Sequence, residues 1–519
     1  MPASREVEYW KDFSGGLNLT TQTQTLGQNE SPDCVDMDFG LRGGFTVRGG
    51  FQTQETDAKL GSARFLGHGL IPSGSNRLFI QGTNGQLLSW DGSTLTDTTY
   101  DLTDDNTERV RMAVFNNYGY FANGRSAGSI VMRSWNATTF RTLTNTFNDT
   151  YTSPAAQGAG SIPLARHIVQ HAGFLWVADT VESGTRYPGR IRFSHEQAPE
   201  NWATADWFGV GDPGEPITGL YEFGEQLLVF KKDSVWSVYG YDKDTFVLEQ
   251  LTGASGTCTC GAIATNAGIA YWFSTDGRLM AYNGRGVTVL SEPIRWWSDI
   301  GRIKHGGSHR LMWADGRLWL SLEAGAGEDV TRWLFIWDPS VGAFTRYSRV
   351  VTDLIWWPKS GSDGDPLFLE GADTNLFRYD RTYLTDADDG GTQRIDAYLR
   401  TAWFTAEETA TLKRFKRPRI TAAADSAATI KVEVFHNFDD LTPSRFQEFE
   451  IEVPASASLW NTAVWGDPWY VAADEYYAFP RISSSGSARS VSYRFSSDDS
   501  VGRWWIDSIS LPFRRKAVR

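Results

Sequence analysis

Few residue patterns in this 519-residue chain have the spacing of a catalytic or cofactor site. Residues 209–214 satisfy the glycine spacing of a dinucleotide-binding loop, Gly-x-Gly-x-x-Gly. Such a loop requires a helix to begin directly after it, and Pro213 and Pro216 disfavour a helix there. We therefore expect a turn at this position and no nucleotide site.

Two histidine pairs have the four-residue spacing that would place both rings on one face of an element. They are His167 with His171 and His305 with His309. Neither pair has the acidic partner of a zinc protease motif, so we interpret them as core or surface histidines. No Gly-x-Ser-x-Gly elbow precedes a helical segment with acidic residue and histidine following in order. Paired carboxylates on distant strands would leave no such local signature, and a glycosidase therefore stays open as an alternative.

Metal and redox chemistry have equally weak signals. The three cysteines cannot form a paired framework, and Cys258 and Cys260 are too close along a strand to bridge. The acidic run at 385–391 resembles a calcium loop, but the position of its twelfth ligand is Ala397. We expect reduced or buried thiols, a solvated linker at 386–391, no metal, no cofactor and no enzymatic activity.

Composition predicts a folded, mostly β protein. Hydrophobic residues make up 41% of the chain and aromatic residues 14%, which excludes a disordered chain, and 51 glycines favour short strands and tight turns. No apolar run approaches the ~18 residues of a membrane-spanning helix, so we expect no membrane span. The net charge of −13 disfavours an activity based on neutralising nucleic-acid phosphates, whereas an acidic wall that repels DNA is compatible with it.

A short hairpin unit recurs along the chain. Residues 270–284 alternate as two strands around Asp276-Gly277, which supplies a two-residue turn, and the segment starting at Asn84 repeats this pattern. Weaker copies begin at Asp233, Asp315 and Asp373, and with Asp276 included the successive starts differ by 43, 39 and 58 residues. These intervals bracket the ~40–50-residue blade of a β-propeller, and residues 60–385 would hold about seven such blades, with six or eight as alternatives.

The chain divides into four predicted segments. Residues 1–55 are an extended N-terminal arm, 56–385 the β-propeller, 386–391 the linker, and 392–519 a C-terminal β-sandwich that ends in a basic tail. The arm is too rich in glycine and polar residues to bury its own apolar side chains. We expect its anchors to pack on the main body or on a neighbouring subunit, and these anchors are Trp10, Phe13, Leu17 and Phe39.

Several short motifs resemble one family. The start Trp-Lys-Asp-Phe-Ser-Gly-Gly-Leu-Asn at 10–18, with Asn-Glu-Ser-Pro at 29–32 and Asp-Met-Asp-Phe at 36–39, looks like the N-terminal arm of tail proteins of tailed bacteriophages. The central segments 192–194, 199–202, 216–220 and 227–236, the hairpin with 287–297, and the ending at 504–509 are similar to the nozzle, or tail tubular protein B, and packaged-DNA stabilisation proteins of short-tailed phages. Cys258-Thr259-Cys260 departs from this pattern.

The resemblance implies a structural virion protein. It would form a ring, expected to be a hexamer, below the portal and adaptor of the phage tail, would line the DNA channel, and would retain the genome and let it pass on ejection. Its partners would be copies of itself, other tail proteins and double-stranded DNA bound without sequence specificity. It would be made in the host bacterial cytoplasm and reside in the virion. The alternative is a carbohydrate-binding or glycan-degrading propeller. The subunit-interface candidates are Trp10, Phe13, Leu17, Phe39, Trp504, Trp505, Arg514 and Arg515.

Overall fold

The computed structural model describes residues 6–516, apart from 71–75, 103–109, 123–131, 137–139, 144–161, 252, 254, 326–330, 359–363, 371–372, 389–390, 425–427, 452–475, 479, 481–485 and 499–502. Within these residues, seven four-stranded antiparallel sheets follow one another and form the blades of a β-propeller. This confirms the all-β propeller prediction and its count of about seven blades.

Blades one to six are meanders in which neighbouring strands in sequence pair, as expected for strands joined by short connections. Blade one consists of Arg64–Leu70, Asn76–Gln81, Gln86–Trp90 and Leu95–Asp101. Blade two consists of Arg111–Phe115, Tyr118–Ala122, Arg133–Trp135 and Phe140–Thr142. Blade three consists of Leu164–His171, Phe174–Glu182, Thr185–Phe193 and Trp207–Gly209. Blade four consists of Gly219–Phe223, Gln226–Phe230, Val235–Tyr239 and Val247–Gln250. Blade five consists of Ile263–Asn266, Ile269–Phe273, Leu279–Tyr282 and Val287–Val289. Blade six consists of Arg310–Ala314, Arg317–Ala324, Thr331–Asp338 and Ala343–Tyr347.

Blade seven takes its outer strand from the beginning of the chain. Strands Asp353–Trp357, Asp365–Leu369 and Asn375–Asp380 are followed in the sheet by Gly50–Thr56, which pairs antiparallel with Asn375–Asp380. The ring is therefore closed by residues more than 300 positions apart in sequence. The propeller therefore includes residues from Gly50 onward, whereas the sequence predicted that it begins at residue 56.

The hairpin unit is placed differently in one copy. In the units at Asn84, Asp233, Asp276 and Asp373 the turn joins the second and third strands of a blade, whereas Asp315 lies between the first two strands of blade six. Asp276 and Asp373 are therefore two blades apart and are separated by 97 residues in total. The unequal intervals of 39 and 58 residues arise because Asp315 lies in a different connection of its blade. An Asp-Gly turn fits both connections, so its sequence does not tell them apart.

The predicted extended arm is integrated into the C-terminal sheets. Its strands are Glu6–Trp10, Gly16–Leu17, Glu30–Ser31, Asp33–Val35, Met37–Phe39 and Phe45–Val47. Glu6–Trp10 and Phe45–Val47 pair with the last strand, Trp504–Arg515, while Asp33–Val35 pairs with Tyr398–Arg400. Two further pairs form within the arm, Gly16–Leu17 with Glu30–Ser31 and Met37–Phe39 with Phe45–Val47. Local and distant strands together therefore satisfy the backbone hydrogen bonds of the arm.

The C-terminal region contributes two larger sheets. The five-stranded sheet has the order Asp33–Val35, Tyr398–Arg400, Val491–Asp498, Ala428–His436 and Arg445–Ile451. The eight-stranded sheet contains Tyr476–Ala478, Arg419–Ala424, Trp504–Arg515, Lys413–Phe415 and Gly486–Ala488 together with the three arm strands Glu6–Trp10, Met37–Phe39 and Phe45–Val47. Buried residues of both sheets share one hydrophobic cluster with residues of blades five and six. The sandwich for 392–519 stays a prediction, since part of that range lies outside the described residues.

The predicted solvated linker instead belongs to two paired strands, of which the first is partly buried and the second is exposed. Strands Thr385–Asp388 and Gly391–Arg394 pair with each other, and Asp386 is only 6% exposed. Its carboxylate accepts two hydrogen bonds from the buried Arg48 guanidinium, at 2.8 and 2.6 Å. Part of this acidic run is therefore neutralised by a cation that is distant in sequence, although the local sequence suggests a solvated segment.

The helices among the described residues are short: Ala58–Leu60, Cys260–Ala262, Glu292–Ile294 and Arg295–Asp299.

Candidate functional site

The first strands of the seven blades surround a central channel. They contact one another around the ring and line a cavity of ≈ 620 Å³. Because every blade starts at the axis, these strands run in the same direction, and the residues at their starts meet at one mouth. The channel therefore has two chemically distinct ends.

The mouth formed by the strand starts is basic. Arg64, Arg111 and Arg310 are the first residues of their strands, and Arg166 is the third residue of its strand. Together with Arg332 they line a second cavity, of ≈ 660 Å³, whose described lining contains one acidic residue, Asp353. We call this set the basic mouth: Arg64, Arg111, Arg166, Arg310, Arg332 and Asp353.

Arg310 is held in a fixed position within the basic mouth. Its guanidinium Nε donates to Asp353 Oδ1 at 3.1 Å, and its Nη1 donates to the carbonyl of His309 at 2.8 Å. Asp353 also accepts a hydrogen bond from the backbone N–H of Phe65 at 3.0 Å, so it links blades one, six and seven. Gly261 makes room for Arg310, because a Cβ there would lie 2.7 Å from Arg310 Cδ.

His309 supports this arrangement as a neutral ring. Its Nδ1 accepts from the backbone N–H of Glu323 at 3.1 Å, and its Nε2 is 2.9 Å from the carbonyl of Lys304. These partners define the tautomer, with Nδ1 as acceptor and Nε2–H as donor. Burial lowers the pKa of His309 to about 4, so the ring stays uncharged at neutral pH.

The opposite end of the channel is aromatic. Trp313 and Trp356 lie in the last part of their strands and contribute to the cavity lining with His68, Glu222 and Asn266. The rings of His68 and Trp356 meet edge to face with centroids 4.2 Å apart, and Trp356 is 40% exposed. Burial lowers the pKa of His68 to about 4, so this end carries little positive charge.

The size of the channel limits what can enter it. Its two cavities have volumes in the ≈ 300–1,000 Å³ range of small-molecule sites. A DNA duplex, whose major groove alone is ≈ 12 Å wide, is too large for a channel of this volume. Any path for DNA must therefore lie outside the propeller of a single chain.

The arm residues chosen as interface candidates are buried within the chain. Trp10, Phe13, Leu17 and Phe39 are between 1% and 9% exposed and belong to the large cluster that joins the arm to the C-terminal sheets. Trp10 packs edge to face against Phe404 and Tyr493. Of the two alternatives from the sequence, packing on the main body accounts for these side chains.

The C-terminal candidates divide into two groups. Trp504 is fully buried, and its indole N–H donates to Ser497 Oγ at 3.1 Å. Trp505 is half-buried, whereas Arg514 and Arg515 are exposed on the last strand. Arg515 lies 3.4 Å from Glu6 of the arm. A subunit contact stays a prediction for Trp505, Arg514 and Arg515, whose side chains are at least partly exposed to solvent.

Local patterns that suggested chemistry have structural explanations. Gly209 ends a strand, and residues 210–214 follow it as a bend and turn, as predicted. His167 and His171 are buried on one strand of blade three. His305 is hydrogen-bonded to Ser298 and does not share a site with His309. The cysteines are unbridged, and burial raises the pKa of Cys34 to about 12. Among the described residues, no group of three or more His, Cys, Asp or Glu side chains could hold a metal ion.

The basic mouth was not identified from the sequence. Its signal is an arginine at or near the start of a blade's first strand, at positions 64, 111, 166 and 310. Recognising it requires knowing which strand of each four-stranded unit is innermost. Hairpin spacing does not provide that information.

Comparisons with known proteins bear on the fold alone. No protein-family model matches the chain, and no curated protein does. Among solved structures, BBS1N in complex with ARL6DN, in a mercury-soaked crystal, is 14% identical with a TM-score of 0.39, over 65% of this chain and 99% of that chain. YCF48 bound to a D1 peptide is 13% identical with a TM-score of 0.38, over 69% of this chain and 99% of that chain. In the described part of this chain, the helices are all too short or too polar to span a membrane.

Proposed function

We propose that this chain is a structural virion protein that forms a ring in the tail of a bacteriophage, below the portal and adaptor. The structural observation that supports the proposal is the way the chain ends are joined. Residues 6–56 supply strands to the eight-stranded sheet, the five-stranded sheet and blade seven. This joins propeller and C-terminal sheets through paired strands and a shared core, which suits a subunit that must keep its shape within a ring.

In this proposal, DNA passes between copies of the chain. The volume of the propeller channel is too small for a duplex, so the DNA passage would be the central opening of the ring. The net charge of −13 suits a wall that holds DNA without adhering to its phosphates. No catalytic step is assigned to any residue.

The ring is tested by measuring assembly of the purified full-length chain. We expect a closed oligomer by mass photometry and electron microscopy, alone or on particles that carry portal and adaptor. Arg514→Glu with Arg515→Glu should weaken assembly at least tenfold while leaving the melting temperature nearly unchanged, because both side chains are exposed. The matched control reverses two exposed propeller charges, Lys243→Glu with Arg285→Glu. A chain that stays monomeric under all these conditions contradicts the proposal.

A sugar-binding propeller is the second candidate. The observation that favours it is the aromatic end of the channel, where Trp313 and Trp356 line the same cavity as Glu222. An exposed tryptophan and a carboxylate in one cavity provide an apolar ring face and a hydrogen-bond acceptor for the same ligand. Saturable binding on a glycan array that is lost in Trp356→Ala would favour this function over the purely structural one.

A further inference from the structure

The basic mouth places cationic side chains from four blades around one cavity. Arg64, Arg111, Arg166 and Arg310 come from blades one, two, three and six, and Arg332 lies on a third strand of blade six. Their only acidic companion in the described lining is Asp353. In a chain with a net charge of −13, this concentration of arginine is a local inversion of charge. A cavity of this kind raises the local concentration of anions.

From this cavity we infer that the basic mouth binds a small polyphosphate, either free or as the phosphate chain of a nucleotide. The inference does not depend on the ring function proposed above. The ≈ 660 Å³ cavity is of small-molecule size, and the guanidinium fork matches phosphate oxygens in a bidentate manner. A chain of phosphates presents several negative charges within a short length and can contact several arginines at once. A single carboxylate offers one negative charge and two acceptor oxygens.

The carboxylate of Asp353 does not fill the site. Its side chain is 4% exposed and is used by Arg310 Nε and by the backbone N–H groups of Phe65 and Leu354. It therefore acts as a fixed anchor for Arg310 at the wall of the cavity. The acidic Glu323 on the neighbouring strand is also occupied, with Lys304 Nζ at 3.2 Å and the Ser308 N–H at 2.7 Å.

The site is partly preorganised. Arg310 is 7% exposed, and its guanidinium is oriented by Asp353 and the His309 carbonyl before any ligand arrives. Prior fixation lowers the entropy lost when a ligand is bound. Arg166, in contrast, is exposed at the mouth and has no ion-pair partner among the described residues. A role limited to holding the fold together gives no reason for a cation at this position.

Isothermal titration of the full-length chain with sodium tripolyphosphate tests the inference. At constant ionic strength we expect one ligand per chain, and about tenfold or greater weakening in Arg166→Gln and in Arg111→Gln, because each variant loses a charge-assisted hydrogen bond to phosphate. Arg417→Gln removes an exposed arginine of the C-terminal region and is the matched control with unchanged affinity. Gly261→Ala, which displaces Arg310 without removing a charge, should also weaken binding.

Further ligands separate the sources of the anion. ATP binding more tightly than tripolyphosphate assigns the site to a nucleotide, and equal affinities assign it to free polyphosphate. Citrate or a hexaglutamate peptide binding as tightly as tripolyphosphate would overturn the assignment to phosphate. Equal affinity of the wild type and the folded Arg166→Gln and Gly261→Ala variants, with melting temperatures checked for each, would overturn the site itself.

Discussion

At the scale of single residues, Arg48 is a fully buried cation between two aspartates. Its Nε is 2.5 Å from Asp36 Oδ1, and its Nη2 is 2.6 Å from Asp386 Oδ2. Asp36 belongs to the N-terminal segment, whereas Asp386 belongs to the hairpin that follows blade seven. The ion pairs therefore join parts of the chain 338 residues apart. Breaking a buried pair from one side leaves uncompensated charge, which is why such contacts are costly to lose.

Replacing Arg48 by methionine should lower the free energy of unfolding by about 3–5 kcal/mol, because two buried carboxylates would lose their cation. Thermal and urea unfolding measure the change. Arg42→Met, which removes an exposed arginine six residues earlier, should change stability by no more than about 0.5 kcal/mol. Equal effects of both substitutions would contradict this account of the junction.

His309 predicts a specific pH dependence. Its pKa of about 4 in the folded protein lies below its ordinary value of 6.5. Between these values the unfolded chain binds a proton that the folded chain does not, so stability falls as the pH falls, by up to about 1.4 kcal/mol per pH unit. In His309→Asn the slope of unfolding free energy against pH should be smaller from pH 6.5 to 4. His68 has the same direction of shift and should maintain part of the slope. An unchanged slope would contradict the assignment.

At the scale of elements, the hairpin of blade five combines local and tertiary constraints. Its strands Ile269–Phe273 and Leu279–Tyr282 are joined by a turn in which Gly277 has φ +80°. The next turn contains Gly284, with φ +84°. Both glycines satisfy the left-handed backbone of their turns. They differ in their surroundings, since a Cβ on Gly277 would lie 1.8 Å from Ser298 Oγ while Gly284 has open space around it.

This pair separates backbone strain from packing. Gly284→Ala should cost about 1–2 kcal/mol, the strain of a left-handed residue with a side chain. Gly277→Ala should cost at least about 1 kcal/mol more, because Ser298, which is bonded to His305, must also move. Urea unfolding of the two variants measures the difference. Equal costs would show that the contact with Ser298 relaxes freely.

At the scale of the whole molecule, propeller closure depends on seven residues from the start of the chain. Strand Gly50–Thr56 completes blade seven, and its Phe51 packs between Phe368 and Tyr379 in the blade core. Without this strand, Asn375–Asp380 would be an open edge and part of the apolar face of blade seven would meet water. The N-terminal segment is therefore part of the propeller as well as of the C-terminal sheets.

Two fragments test closure directly. A chain of residues 50–385 retains the closing strand and should show a cooperative thermal transition, although it loses the contacts of the C-terminal sheets. A chain of residues 57–385 should melt at lower temperature or aggregate, because blade seven lacks its outer strand. Circular dichroism and light scattering distinguish the two. Identical melting of both fragments would mean that closure contributes little to stability.

The sequence by itself determined the features that depend on neighbours along the chain. Alternation in residues 270–282 and the turn at Asp276-Gly277 specify a hairpin locally, and its repetition indicated about seven blades. The prolines after Gly211 likewise excluded a nucleotide-binding helix. These inferences needed no knowledge of distant partners.

The features that depend on contacts between distant parts of the chain were decided only by the tertiary structure. The pairing of Arg48 with Asp386, the burial of Trp10 and the joining of residue 50 to blade seven involve contacts between segments hundreds of residues apart. The basic mouth arises for the same reason, since arginines spread over nearly 270 positions converge only when the ring closes. Local patterns specify a blade, whereas the contacts between blades and chain ends specify which residues share a site.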